Sequence, residues 1–161
     1  MTYIGAPMIY YGDEAGMWGA DDPDERKPML WEDLHYAVEK SHPLPGKRRP
    51  ADSNVFNKNL FSYYKQMIAL RHETPALLFG DFKIVEEASG QDVIGFSRKY
   101  QKQQAVMLFN RDNEDTILEL SETSLNYQKY IDPLLSQTYE MDAGKISVNI
   151  PSNWYIILIS K

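Results

Sequence analysis

The chain has 161 residues, 43% hydrophobic and 25% charged, with a formal net charge of −6. That is ordinary globular usage, and the acidic balance argues against binding a nucleic-acid backbone. The absence of cysteine excludes a disulfide framework, a thiolate metal site and a cysteine nucleophile, and leaves the compartment open, cytoplasmic or periplasmic. No apolar run approaches the roughly 18 residues that span a bilayer, and no basic segment followed by an apolar one marks a leader peptide.

Residues 8–11, Met-Ile-Tyr-Tyr, lie between Pro7 and Gly12. The run is too short for a helix, and its β-branched and aromatic residues predict a strand buried on both faces. Asp13 and Glu14 follow at once, with Gly16 and Gly19 close behind. A buried strand ending in glycine and carboxylates is where α/β folds place ligands; a core strand followed by an ordinary acidic turn fits the same residues. Because Met1 leads almost directly into this strand, the expectation is a chain cut from a longer one.

From Gly12 to about Asn57 there is little periodicity. Pro23, Pro28, Pro43, Pro45 and Pro50 break regular elements, although residues 32–40 could form a turn or two of helix. Met17, Trp18, Met29 and Trp31 need something to pack on, so this is read as an ordered loop lining a site. Residues 57–73 then become helical. Leu60, Tyr64, Met67, Ile68 and Arg71 share one face of a 3.6-residue period, and Thr74-Pro75 ends the helix.

After Gly80 the pattern changes to short strands, predicted at 82–86, 92–100, 104–109, 116–120, 145–150 and 154–160. Ser89-Gly90-Gln91 and Asn110-Arg111-Asp112-Asn113 read as hairpin loops between them. The fold class expected is mainly β: a C-terminal antiparallel β-sandwich preceded by one strand–loop–helix unit, with domains at 1–77 and 78–161. A strand, long loop and helix in succession form the repeating unit of a (β/α)8 barrel.

The motif Gly5-Ala-Pro-Met-Ile-Tyr-Tyr-Gly-Asp-Glu-Ala-Gly-Met-Trp-Gly19, with Asp22-Pro-Asp-Glu-Arg26 and Pro28-Met-Leu-Trp31, resembles the eighth barrel strand and following loop of the α-amylase family, glycoside hydrolase family 13. Within that family the loop is most similar to the neopullulanase and cyclomaltodextrinase group. Leu70-Arg71-His72, Pro75-Ala-Leu77 and Gly80-Asp-Phe82 resemble the end of the family's eighth helix and the entry to its β domain. The resemblance implies an incomplete barrel, an α-glucan as partner (maltooligosaccharides, cyclodextrins, pullulan or starch), and no cofactor.

It also implies what the chain lacks. Retaining glycosidases use two carboxyl groups about 5–5.5 Å apart, and the family carries them on earlier strands, so catalytic residues here are expected to be none. Asp13 and Glu14, neighbours on an extended chain, would point to opposite faces. Asp22 and Arg26 match positions that contact sugar in neopullulanase-like enzymes, and carboxylate and guanidinium suit vicinal hydroxyls; the same pair could instead brace the loop.

Trp18 and Trp31 read as packing anchors, with sugar stacking the alternative. The acidic cluster Asp21, Asp22, Asp24 and Glu25 invites a calcium reading, but Pro23 interrupts it and no glycine sits where an EF-hand needs one. His35, His42 and His72 lack zinc spacing, so no metal is expected. A runner-up reading is a non-catalytic β-sandwich carbohydrate-binding or interaction module. In either case the apolar 8–11 run predicts disorder, self-association or packing on the β domain.

Overall fold

The computed structural model describes residues 1–19, 22, 26–42, 44–90 and 92–161. It divides into two compact units: Met1–Gly5 with Ala69–Lys161, and Ala6–Ile68.

The first unit is the β domain. Its strands are β1 (Lys83–Ser89), β2 (Val93–Tyr100), β3 (Gln103–Asn110), β4 (Thr116–Ser121), β5 (Lys129–Asp132), β6 (Gln137–Glu140), β7 (Lys145–Ile150) and β8 (Tyr155–Ser160). One sheet runs β1-β2-β3-β8-β5-β6 and the other pairs β4 with β7, every described ladder being antiparallel. β7 shows the logic most plainly: Ile146, Val148 and Ile150 are buried while the residues between them are exposed, the period-2 pattern of a strand with one wet face. These three pack with Leu120 of the small sheet against Val106, Leu108, Ile156 and Leu158 of the large one. Two sheets closing on one core make the expected β-sandwich. Gly95 sits where Ala88 and Leu108 leave no room for a Cβ.

The large sheet is apolar on both sides at its centre: Met107 and Ile157, on the face opposite the core, are also fully buried. α2 (Pro75–Phe79) packs on β2 and β3. Pro75 takes the first helical position, where its missing N–H costs nothing; the proline expected to end one helix therefore also begins the next.

β5 and β6 were not predicted. The loop 110–113, expected as a hairpin, instead carries the chain from β3 in the large sheet to β4 in the small one. Its Asn110 amide bonds to the Glu114 and Ile150 carbonyls, which fixes that crossing. Gln91, in the other expected hairpin loop, lies outside the described residues.

The second unit holds the long loop and the start of α1 (Lys58–Glu73). Asn57 accepts the Leu60 N–H at 3.0 Å, an N-terminal cap. The chain leaves this unit within α1, between Ile68 and Ala69. Residues 8–11 form no described strand, and Met8 is 87% exposed. The physical reason is that a strand exists only through a ladder, and no described segment pairs with this run. Residues 32–40 are not helical either. The Tyr36 hydroxyl accepts from Trp31 N–H at 2.7 Å and donates to Met29 O at 3.1 Å, folding the segment back, while Glu39 bridges to Asp52.

Candidate functional site

The loop unit contains a cleft of about 720 Å³. Tyr11, Met29, Trp31, Phe56 and Phe61 supply apolar walls, and Glu14, Glu32 and Asp33 supply carboxylates. Several local devices build it. Gly12 adopts φ 95°, the left-handed region, and Met17 occupies the space a Cβ would need. That reversal starts a 3-10 turn, Asp13–Ala15, in which the Glu14 carboxylate accepts the Gly12 N–H at 2.9 Å. Asp13 and Glu14 are thus on a turn and not on an extended chain; Glu14 lines the cleft and Asp13 does not. Asn57 N–H donates to Ala15 O, securing the turn to the start of α1. The Tyr11 hydroxyl donates to Lys27 O at 2.9 Å, tying the turn to the loop's return.

Glu39 organises that return. Its carboxylate pairs with Lys27 Nζ and accepts from the backbone N–H groups of Lys40 and Ser41 at 2.8 and 2.7 Å. The Lys27 bond foremost, then the Ser41 hydroxyl, holds its pKa down at about 2, against a smaller opposing effect of burial. Lys27 Nζ also lies 4.8 Å from the Trp18 ring centre, and the Arg49 guanidinium 4.0 Å from it. Two cations over one indole make Trp18 a packing anchor, as expected, and occupy ring surface that a sugar would use. Arg49 pairs with Asp52; its Nη1 is buried with no hydrogen-bond partner among the described residues, where the indole face lies against the guanidinium. Trp31 is different: it is 57% exposed and lines the cleft.

Asp22 and Arg26 come together at 2.8 Å, both side chains more than half exposed. They do not line the aromatic cleft. Asp21, Asp24 and Glu25, the rest of the acidic cluster, lie outside the described residues. Among the described residues no group of three or more His, Asp or Glu could hold a metal ion, and no helix is long and apolar enough to cross a membrane. Glu14 was weighed from sequence with Asp13 and set aside as a catalytic group, whereas Asp33, Phe56 and Phe61 were not singled out as site residues. Phe56 beside the helix cap and Phe61 one turn later were the available signal.

No family model matches the chain. It is 37% identical over 119 residues to neopullulanase 2 of Thermoactinomyces vulgaris, covering 73% of this chain and 17% of that protein. A cyclomaltodextrinase of Thermoanaerobacter pseudethanolicus is 34% identical over 121 residues, with 75% and 17% covered. The chain thus spans about a sixth of these relatives' length. Among solved structures, the α-amylase of Geobacillus thermoleovorans complexed with acarbose superposes with a TM-score of 0.77 at 23% identity, covering 98% of this chain and 30% of that one. The Nostoc punctiforme debranching enzyme gives 0.67 at 27% identity, with 98% and 28% covered. The chain is homologous to members of the α-amylase family, glycoside hydrolase family 13, in the neopullulanase and cyclomaltodextrinase group.

Proposed function

We propose that this chain is the part of an α-glucan-acting retaining glycosidase that supplies one wall of the sugar cleft, with its β-sandwich as a supporting domain. In this reading residues 1–77 are the last strand, loop and helix of a (β/α)8 barrel and residues 78–161 the β domain. The observation that carries it is the homology to proteins named neopullulanase, cyclomaltodextrinase and amylopullulanase. The aromatic cleft on the loop unit agrees with it, since flat apolar walls with a few polar groups suit small-molecule recognition.

Asp22 and Arg26 are the proposed sugar contacts. Their mutual ion pair presets the carboxylate and guanidinium beside one another, so vicinal hydroxyls meet an oriented acceptor and donor. The catalytic carboxylates belong to strands outside this sequence, so the chain alone hydrolyses no glycosidic bond. Incubating purified residues 1–161 with maltooligosaccharides tests this: no reducing sugar is released, and measurable release would overturn the assignment.

A second reading, a binding module resting on the β domain alone, draws on that domain's own closed core. It places any glucan site on the sandwich and not on the loop.

A further inference from the structure

Arg71 lies on the apolar stripe of α1 and Arg98 on β2, and both are buried, 7% and 2% exposed. Neither makes a salt bridge to a carboxylate among the described residues; each donates to backbone carbonyls instead. Arg71 reaches Tyr3 O at 3.1 Å and Gly5 O at 2.6 Å, and also bonds Met1 O. The three acceptors span a bend at residues 3–5, where Gly5 takes a positive φ of 93°. Arg98 Nη1 reaches Thr2 O and Tyr3 O at 3.3 and 3.2 Å. Nη1 also lies 3.3 Å from Leu77 O, while Nη2 donates to Gly80 O at 2.8 Å and Nε to Asp81 O at 2.7 Å. Tyr3 O is shared by the two guanidiniums, and the Tyr3 ring meets Phe82 and Phe96 edge-on, with centroids at 5.3 and 5.5 Å.

The location of these bonds gives them a consequence. The chain passes between the two units after Gly5 and again after Ile68. Arg71 stands three residues past the second crossing and binds the carbonyl of the last residue before the first. We infer that Arg71 and Arg98 are positioning residues, a two-guanidinium pin that fixes residues 1–5 on the β domain and closes both crossings at one point. Residues 1–5 have no described strand partner, and the guanidiniums supply the donors that a neighbouring strand would otherwise bring. Burial first, and then the adjacent Arg71 charge, lowers the pKa of Arg98, while Asp81 raises it. Arg98 nevertheless stays charged, because arginine is not deprotonated in proteins.

Arginine is required because its planar fork serves several acceptors at once, which a lysine ammonium does not. The test is amide hydrogen exchange and ¹⁵N relaxation on the 161-residue chain, comparing wild type with Arg71→Met, Arg71→Lys and Arg98→Lys. In the wild type, residues 2–5 move and exchange like β2 and β3. In both Arg71 variants their exchange rises by about tenfold or more while the amides of Leu108 and Ile157 stay as protected as before, the signature of local rather than global opening. Residues 2–5 that are already mobile in the wild type, or that keep full protection in both Arg71 variants, would overturn the inference. Should Arg98→Lys fail to fold, the two Arg71 variants decide.

Discussion

The Arg26 guanidinium lies 2.8 Å from the Asp22 carboxylate, in a loop position where both side chains are mostly in water. An exposed pair of this kind contributes about 0.2–1 kcal/mol at most. Removing it therefore separates binding from stability. Arg26→Ala leaves thermal unfolding of the chain nearly unchanged, and in an enzyme containing this chain it raises KM for short oligosaccharides. An unchanged KM would return the pair to bracing the loop.

The two tryptophans of the loop unit respond oppositely to truncation. Trp18 carries two cations on its ring, and cation–π contacts are worth about 0.5–2 kcal/mol each. Trp18→Ala therefore loosens residues 27–52, seen as faster amide exchange there. Trp31→Ala, at an exposed cleft wall, leaves exchange unaltered.

In the β domain, Leu108 is fully buried between the sheets. Leu108→Ala costs about 2–5 kcal/mol, read by denaturant unfolding. Ile117→Ala, on the exposed side of β4, stays within about 0.5 kcal/mol.

Glu87 on β1 predicts an acid limit. Burial alone would raise its pKa, but the Ser121 and Ser124 hydroxyls outweigh it and hold the group at about 2, against an ordinary 4.5. A carboxylate depressed on folding stabilises fully above its unfolded pKa, and that stability is lost as pH falls through the folded value. The β domain accordingly weakens from about pH 4.5 down to about pH 2, measured by melting temperature against pH. Glu87→Gln flattens the slope over that window.

The loop unit leaves Met8, Tyr10, Leu34 and Val55 exposed. Apolar groups in water without a paired ladder favour association or opening. Amide exchange in residues 6–50 is faster than in the β domain, or the chain forms dimers in sedimentation; a monomer uniformly protected from Ile4 onward would contradict this.

The β-sandwich was readable where alternation was clean. β7 and the continuous apolar runs of β3 and β8 carry their burial in their own sequence. β5 and β6 do not: each is four residues long, β6 buries only Tyr139, and β5 is held by the pairing of Tyr130 and Ile131 with Ser160 and Ile159 of β8. Tertiary pairing of that kind leaves no local trace. The 8–11 run failed for the converse reason, since its residues have strand propensity but no described neighbour to bond. In the site, the Asp22–Arg26 spacing was legible, whereas the cleft walls depend on the Gly12 reversal and the Tyr36 fold-back. Arg71 did announce itself, as a charge on an apolar helical stripe, but its partners are backbone carbonyls about 70 residues away that no motif reveals.

Titrating the ¹⁵N-labelled chain with maltoheptaose distinguishes a glucan site on the loop unit, as proposed, from one on the sandwich. Saturable shifts at Tyr11, Arg26, Trp31 and Asp33 are expected, with Leu108 and Ile156 silent. Shifts confined to the β domain, or none anywhere, would contradict that proposal.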